Sequence, residues 1–244
     1  MKQMKNRSHI ELAHSEAIAE KADHVWHYDK KAAAFRAEKR AKLISNLALP
    51  VKKGVILEIG AGTGEYTKRY ILGNAKLIAT DISPSLIKAI QAKRIKNVSC
   101  KVANAEKLPF KSGFFDAVIG NSILHHLDLD EALDEIYRVL KKGGKMVFCE
   151  PNMMNPYLFI QKNSKFVKKI TGDSPNETAF FRNELKKMLA RHGFMRISII
   201  PLDFIPPFLP DFLFGGFARK INTLLEQIPL FREFAGSLLI YCEK

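Results

Sequence analysis

The 244 residues include 39 Lys and Arg against 25 Asp and Glu, a formal net charge of +14, with 47% hydrophobic and 26% charged residues. That apolar fraction excludes extended disorder, and the length suits one α/β core with insertions. The N-terminus lacks an apolar run of export length, and Cys100, Cys149 and Cys242 stand alone without a C-x-x-C pair or metal-ligand spacing, so the expectation is a cytoplasmic protein with reduced core cysteines and no metal centre.

Residues 1–49 are rich in Ala, Glu, Lys and Arg and are closed by Pro50, which predicts an N-terminal helical lid. Within it, His24-Val25-Trp26-His27-Tyr28-Asp29 gathers aromatic and ionisable groups ahead of a basic helix over Lys30 to Lys42. A core unit over 50–152 then opens with the apolar strand Val55 to Ile59, which feeds the loop Gly60-Ala61-Gly62-Thr63-Gly64-Glu65. Glycines at alternate positions allow backbone conformations that a Cβ forbids and let a ligand approach the main chain closely. The spacing departs from the G-x-G-x-x-G dinucleotide fingerprint, and Glu58 and Glu65 at the two ends disfavour a phosphate guest.

Further strands are predicted over Lys76 to Asp81, Val98 to Val102 and Phe114 to Gly120, the last leading into Asn121-Ser122-Ile123-Leu124-His125-His126. A helix over Asp130 to Leu140, a turn at Lys142-Gly143-Gly144 and a strand over Lys145 to Glu150 follow. The alternation predicts a parallel sheet with helices on both faces. Ligands of such sheets bind beyond the strand C-termini, where Glu58, the glycine loop, Asp81, Asn104 and Asn121 converge. A low-periodicity insertion over 153–181, an amphipathic helix over Arg182 to His192 and a strand over Arg196 to Leu202 begin the C-terminal part, 153–244. A hydrophobic cap over 203–235, rich in Phe and Pro, is inserted before a last strand, Gly236 to Cys242.

The strand and loop at 55–65, the acid-ended strand at Asp81, Asn104-Ala105-Glu106-Lys107-Leu108-Pro109-Phe110 and the segment after the fourth strand resemble the class I S-adenosylmethionine-dependent methyltransferases, in the branch like ubiquinone and menaquinone biosynthesis enzymes. The resemblance covers about 50–152 and implies a Rossmann-like, seven-stranded, mostly parallel sheet whose last strand is antiparallel. It implies S-adenosylmethionine as cofactor. Glu58 and the backbone of Gly60, Ala61, Gly62 and Gly64 would surround its methionine part, with Asn121 nearby. Asp81 would take the ribose and Ile82 the adenine face, while Asn104, Ala105 and Glu106 would border the adenine edge. Asn104 replaces the more usual aspartate, and its amide oxygen can still accept a hydrogen bond. In the resembling family the segment around Trp26 and Tyr28 closes over the cofactor; the alternative is that both rings staple the helix to the core.

In-line methyl transfer needs positioning more than chemistry from the protein. For a hydroxyl acceptor, His125 or His126 is the candidate general base, with Tyr28 or Glu150 as substitutes. The cap suits a small aromatic, isoprenoid or lipid-linked acceptor, a peripheral membrane contact through 204–220, or a homodimer contact. The net charge leaves an RNA or protein methyltransferase as the rival, although nucleic acid is disfavoured because no appended binding module is evident. A non-catalytic S-adenosylmethionine-binding protein and a dinucleotide oxidoreductase are the readings from other classes.

Overall fold

The apolar run Val55–Ile59 is buried along nearly all its length and forms the central strand β1. In the computed structural model, which describes residues 2–49, 54–171, 173–174 and 177–244, β1 lies between β2 (Lys76–Asp81) and β4 (Phe115–Asn121), parallel to both. Pro50 lies outside the described residues. With β3 (Val98–Val102), β5 (Leu140–Pro151), β6 (Met195–Leu202) and β7 (Ser237–Glu243), the seven-stranded sheet has the order β3-β2-β1-β4-β5-β7-β6. The last strand, β7, runs antiparallel to both β5 and β6.

Because successive strand residues face opposite ways, the sheet feeds two cores. Leu57, Val118, Met146, Phe148 and Ile240 pack with α5 (Leu129–Val139) and α8 (Arg182–Arg191) on one face. Ile56, Ala117, Ile119, Val147 and Leu239 pack with α3 (Lys31–Ala48) on the other. Helix α4 (Pro84–Ala92) starts where the Ser83 hydroxyl accepts from the Leu86 N–H, and α5 where the Asp128 carboxylate accepts from the Glu131 N–H. Both caps satisfy amides that have no partner within the helix. Ahead of the sheet lie α1 (Lys2–Ile18) and the short α2 (Ala22–Val25).

Between the glycine loop and β2 lies only a 3-10 turn at Thr67–Arg69. Two local expectations change. The predicted turn at Lys142–Gly144 is a bulge inside β5, where pairing steps from Phe115↔Leu140 to Ala117↔Lys145 and Gly143 has φ +74°. The 153–181 insertion carries α6 (Pro156–Asn163) and α7 (Lys165–Thr171), and the 203–235 segment carries α9 (Gly216–Gln227) and α10 (Pro229–Arg232). The latter segment is tied to α3 by buried Asp203, whose carboxylate accepts from Arg40 Nε at 2.7 Å and Lys39 Nζ at 3.2 Å.

Candidate functional site

Beyond the C-terminal ends of β1, β2 and β4 lies a cavity of about 370 Å³ that reaches α1, α2 and the two C-terminal insertions. Its floor is the glycine loop. Gly60 has φ +67°, and a Cβ there would come within 2.4 Å of Ile123. At Gly62, φ is +56° and a Cβ would meet the Trp26 ring at 3.1 Å. Backbone conformation disfavours a side chain at both positions; space excludes one at Gly60, and at Gly62 it would have to displace the Trp26 ring, which rests on the loop.

Two buried carboxyls frame this loop. Glu58 accepts from Thr67 Oγ1 at 2.7 Å, and burial without a facing cation pushes its carboxyl up to about 8. Asp81 accepts from the Gly62 N–H at 2.9 Å and the Ser83 N–H at 3.0 Å, fixing strand end to loop. Burial raises Asp81 as well, and these amides oppose the rise. Ile82, Asn104, Ala105 and Glu106 continue the wall. Asn104 Oδ1 takes the Glu106 N–H at 2.9 Å, while Glu106 accepts from Ser8 Oγ and the Asp128 N–H, both at 2.8 Å. Thus Asn104 shapes its own turn and Glu106 ties α1 to α5. Asn121 borders the same cavity, its Oδ1 accepting from Arg40 at 3.3 Å.

The opposite wall is an ionic network. His125 Nδ1 meets Glu150 Oε2 at 2.7 Å, and its Nε2 faces Glu177 Oε1 at 3.5 Å. Burial alone would lower the imidazole, but the two carboxylates hold it up at about 9, so His125 is a cation at neutral pH rather than a ready base. Glu150 also accepts from the Ile123 and Leu124 N–H groups at 2.9 and 3.0 Å, which commits it to positioning this segment. Preceding it, Ser122 takes φ +53°, a conformation rare outside glycine. His126 Nδ1 meets Glu11 Oε2 of α1 at 2.9 Å, and Glu11 Oε1 accepts from Ser174 Oγ at 2.7 Å. Glu177 is held well below the usual carboxylate range, His125, His126 and Lys162 outweighing the effect of burial.

Tyr28 sits between Trp26 and Tyr66 in edge-on ring contacts at 6.0 and 6.4 Å and borders the cavity. Of the site residues named from sequence, Gly64 and Glu150 lie outside the cavity lining and the others border it, together with Glu11, Arg40 and Glu177, which were not named. Among the described residues, His125, His126 and Glu177 also bring metal-capable atoms within 4.8 Å of one another. This grouping joins two distant segments, so linear spacing could not reveal it.

Residues 57–148 match the family described as Methyltransferase domain. An uncharacterised methyltransferase-like protein of Schizosaccharomyces pombe is 31% identical over 62% of this chain and 57% of its own length. A ubiquinone/menaquinone biosynthesis C-methyltransferase of Psychromonas ingrahamii is 36% identical over 41% of this chain and 44% of its own length. The chain spans about half the length of the curated relatives it matches. A solved S-adenosylmethionine-dependent methyltransferase from Thermotoga maritima superposes with a TM-score of 0.68 at 19% identity, over 95% of this chain and 99% of that one. Residues 57–148 thus match a methyltransferase domain, and the fold around them is that of solved S-adenosylmethionine-dependent methyltransferases.

Proposed function

We propose that this domain transfers a methyl group from S-adenosylmethionine to a small, apolar or lipid-like acceptor. The observation that supports it most is the glycine cradle between two buried carboxyls, a place that disfavours a Cβ and has negative charge in waiting. The residues fit the cofactor: Glu58 and the loop Gly60, Ala61, Gly62 and Gly64 would hold its methionine part, with Asn121 beside it. Asp81 would hold the ribose, and Ile82, Asn104, Ala105 and Glu106 the adenine. When bound, the cofactor supplies a methyl carbon on a positively charged sulfur.

The chain's own contribution is positioning and exclusion of water. Trp26 and Tyr28 cover the loop, and Ile18, Val25 and Pro207 add apolar surface for an acceptor. An acceptor that must lose a proton would find His126 or Tyr28 on the cavity wall, whereas His125 already holds its own proton and fixes the wall between Glu150 and Glu177.

The test is transfer of labelled methyl from S-adenosylmethionine into cell extract separated into lipid, polar and RNA fractions, alongside calorimetry with S-adenosylhomocysteine. Label in the lipid or small-molecule fraction that vanishes in Asp81→Ala is the expected result. Label in RNA would replace the acceptor class. Tight S-adenosylhomocysteine binding with no label in any fraction would leave a binding protein, and tighter binding of NADH would overturn the cofactor.

A further inference from the structure

Helix α9 is amphipathic in an unusual sense, because the face it turns inward is polar. Asn222 is buried and accepts from the Phe204 N–H at 2.7 Å. One turn on, Glu226 accepts from the Asp203 N–H at 2.7 Å and from Asn222 at 3.0 Å, and it pairs with Lys39 of α3. The opposite face carries Phe217, Ile221, Leu224 and Ile228 at helical spacing, all exposed, with Phe217 79% and Leu224 57% accessible. Exposed apolar groups continue on both sides, with Phe212 and Leu213 before the helix and Leu230 and Phe231 in α10. In the other insertion, α7 exposes Phe166 and Ile170, one turn apart, beside the exposed Lys165 and Lys169. The two segments are joined through α6, where Tyr157 meets the Phe208 ring at 5.3 Å and Asn155 donates to the Phe234 carbonyl at 2.8 Å.

We propose that α9, together with α10 and α7, docks this protein on the interface of an anionic lipid bilayer. A helix held to its protein by hydrogen bonds and offering a stripe of Phe, Ile and Leu outward has the form of an in-plane interfacial helix. Among the described residues, no helix is long and apolar enough to cross a membrane, so the contact is peripheral. Charge selects the surface: Arg219, Lys220, Lys165 and Lys169 are exposed beside the apolar groups on a chain of net charge +14. An anionic headgroup layer neutralises these cations, whereas a second copy of this chain would set like charges against one another. The two segments that carry these groups also reach the cavity, since Pro207 and Thr171 line it. Docking so arranged would turn the mouth toward the bilayer, whatever the acceptor.

The test is co-sedimentation with vesicles of phosphatidylcholine alone and of phosphatidylcholine containing about a quarter phosphatidylglycerol. Wild type is expected to bind the anionic vesicles roughly tenfold more strongly than the neutral ones, and less as salt rises. Phe217→Ser with Leu224→Ser should cut that binding roughly tenfold while leaving circular dichroism and S-adenosylhomocysteine affinity unchanged. Arg219→Glu with Lys220→Glu should remove the preference for the anionic vesicles. Equal sedimentation of wild type and the Phe217/Leu224 variant would overturn the proposal. So would a dimer, seen by light scattering, that the same two substitutions dissolve while wild type ignores vesicles, since the face would then be covered by a second copy. Neither outcome bears on cofactor binding, which is read separately.

Discussion

Helices α5 and α9 are of almost equal length and both are amphipathic, yet they face opposite ways. In α5 the stripe Ala132, Leu133, Ile136 and Val139 is wholly buried against the sheet, with Asp130 and Glu131 opening the first turn. In α9 the apolar stripe is outside and the hydrogen-bonding groups are inside. An apolar periodicity thus states that a helix has two faces without saying which one the protein keeps. The partner on each side decides: α5 meets Phe148 and Met146, which offer only apolar surface, while α9 meets the backbone amides of Asp203 and Phe204, which donate to its side chains, and the cation of Lys39.

The contrast is tested most sharply at Leu133. Aspartate there would bury a charge without a partner, and we expect a loss of roughly 4 kcal/mol or more, or no folded protein at all, in denaturant titration. A mild effect would mean that α5 is not part of the core. Next in size is Asp203, the anchor beneath α9, which faces Arg40, Arg36 and Lys39. Burial alone would raise its carboxyl, but these cations hold it below the usual range. Asp203→Asn should cost about 3–5 kcal/mol at neutral pH because it leaves buried guanidinium groups unpaired. The contribution of the ionised form is present above the ordinary aspartate range and is lost as pH falls through the depressed value. The gap between the variant and wild type should therefore close in acid. Removing the inner polar face itself, by Asn222→Ala, unpairs the Phe204 amide and should cost about 1–3 kcal/mol.

A smaller effect of opposite sign is expected at Glu58, a buried acid without the cations that Asp203 has. With its carboxyl at about 8, the folded ligand-free protein keeps a proton that the unfolded chain has lost, from the ordinary glutamate range up to that pH. Stability from this group falls as pH rises through that window. Glu58→Gln should raise stability at pH 8 by on the order of 1 kcal/mol, seen as a higher thermal midpoint, and weaken cofactor binding in calorimetry. An unchanged midpoint with intact binding would show that Glu58 belongs with the structural acids.

How much of this was legible in the sequence follows the same division. Strands β1, β2 and β4 and the 145–150 part of β5 announce themselves as apolar runs because they are largely buried, and the loop announces itself because Gly60, Gly62 and Gly64 all take positive φ. Glu58, Asp81 and Asn121 could be placed at strand ends from order alone. Trp26 over Gly62, Glu11 against His126 and Glu177 beside His125 could not, since each pair joins segments far apart in the chain and no local pattern encodes their meeting. The 153–181 insertion showed no periodicity because α6 and α7 are each only about two turns long and keep little of their surface in a core. The reversed orientation of α9 was hidden for another reason: it rests on two backbone amides, which sequence does not display.

The smallest predicted effect carries the comparison furthest. Leu224→Ser on α9 removes a leucine that is more exposed than buried, so little apolar area is returned to water on unfolding, and the change in stability should stay within about 0.5 kcal/mol. The same leucine-to-serine change at Leu133 leaves a cavity and an unpaired hydroxyl in the sheet's core, and it should cost several-fold more in the same denaturant titration. If the two substitutions cost alike, some further part of the folded protein covers Leu224 in solution, and α9 would lose its standing as an outward-facing helix. If Leu224→Ser proves slightly stabilising or less prone to aggregate, the outward stripe is a surface held open at a cost, as a docking surface is and a packing surface is not.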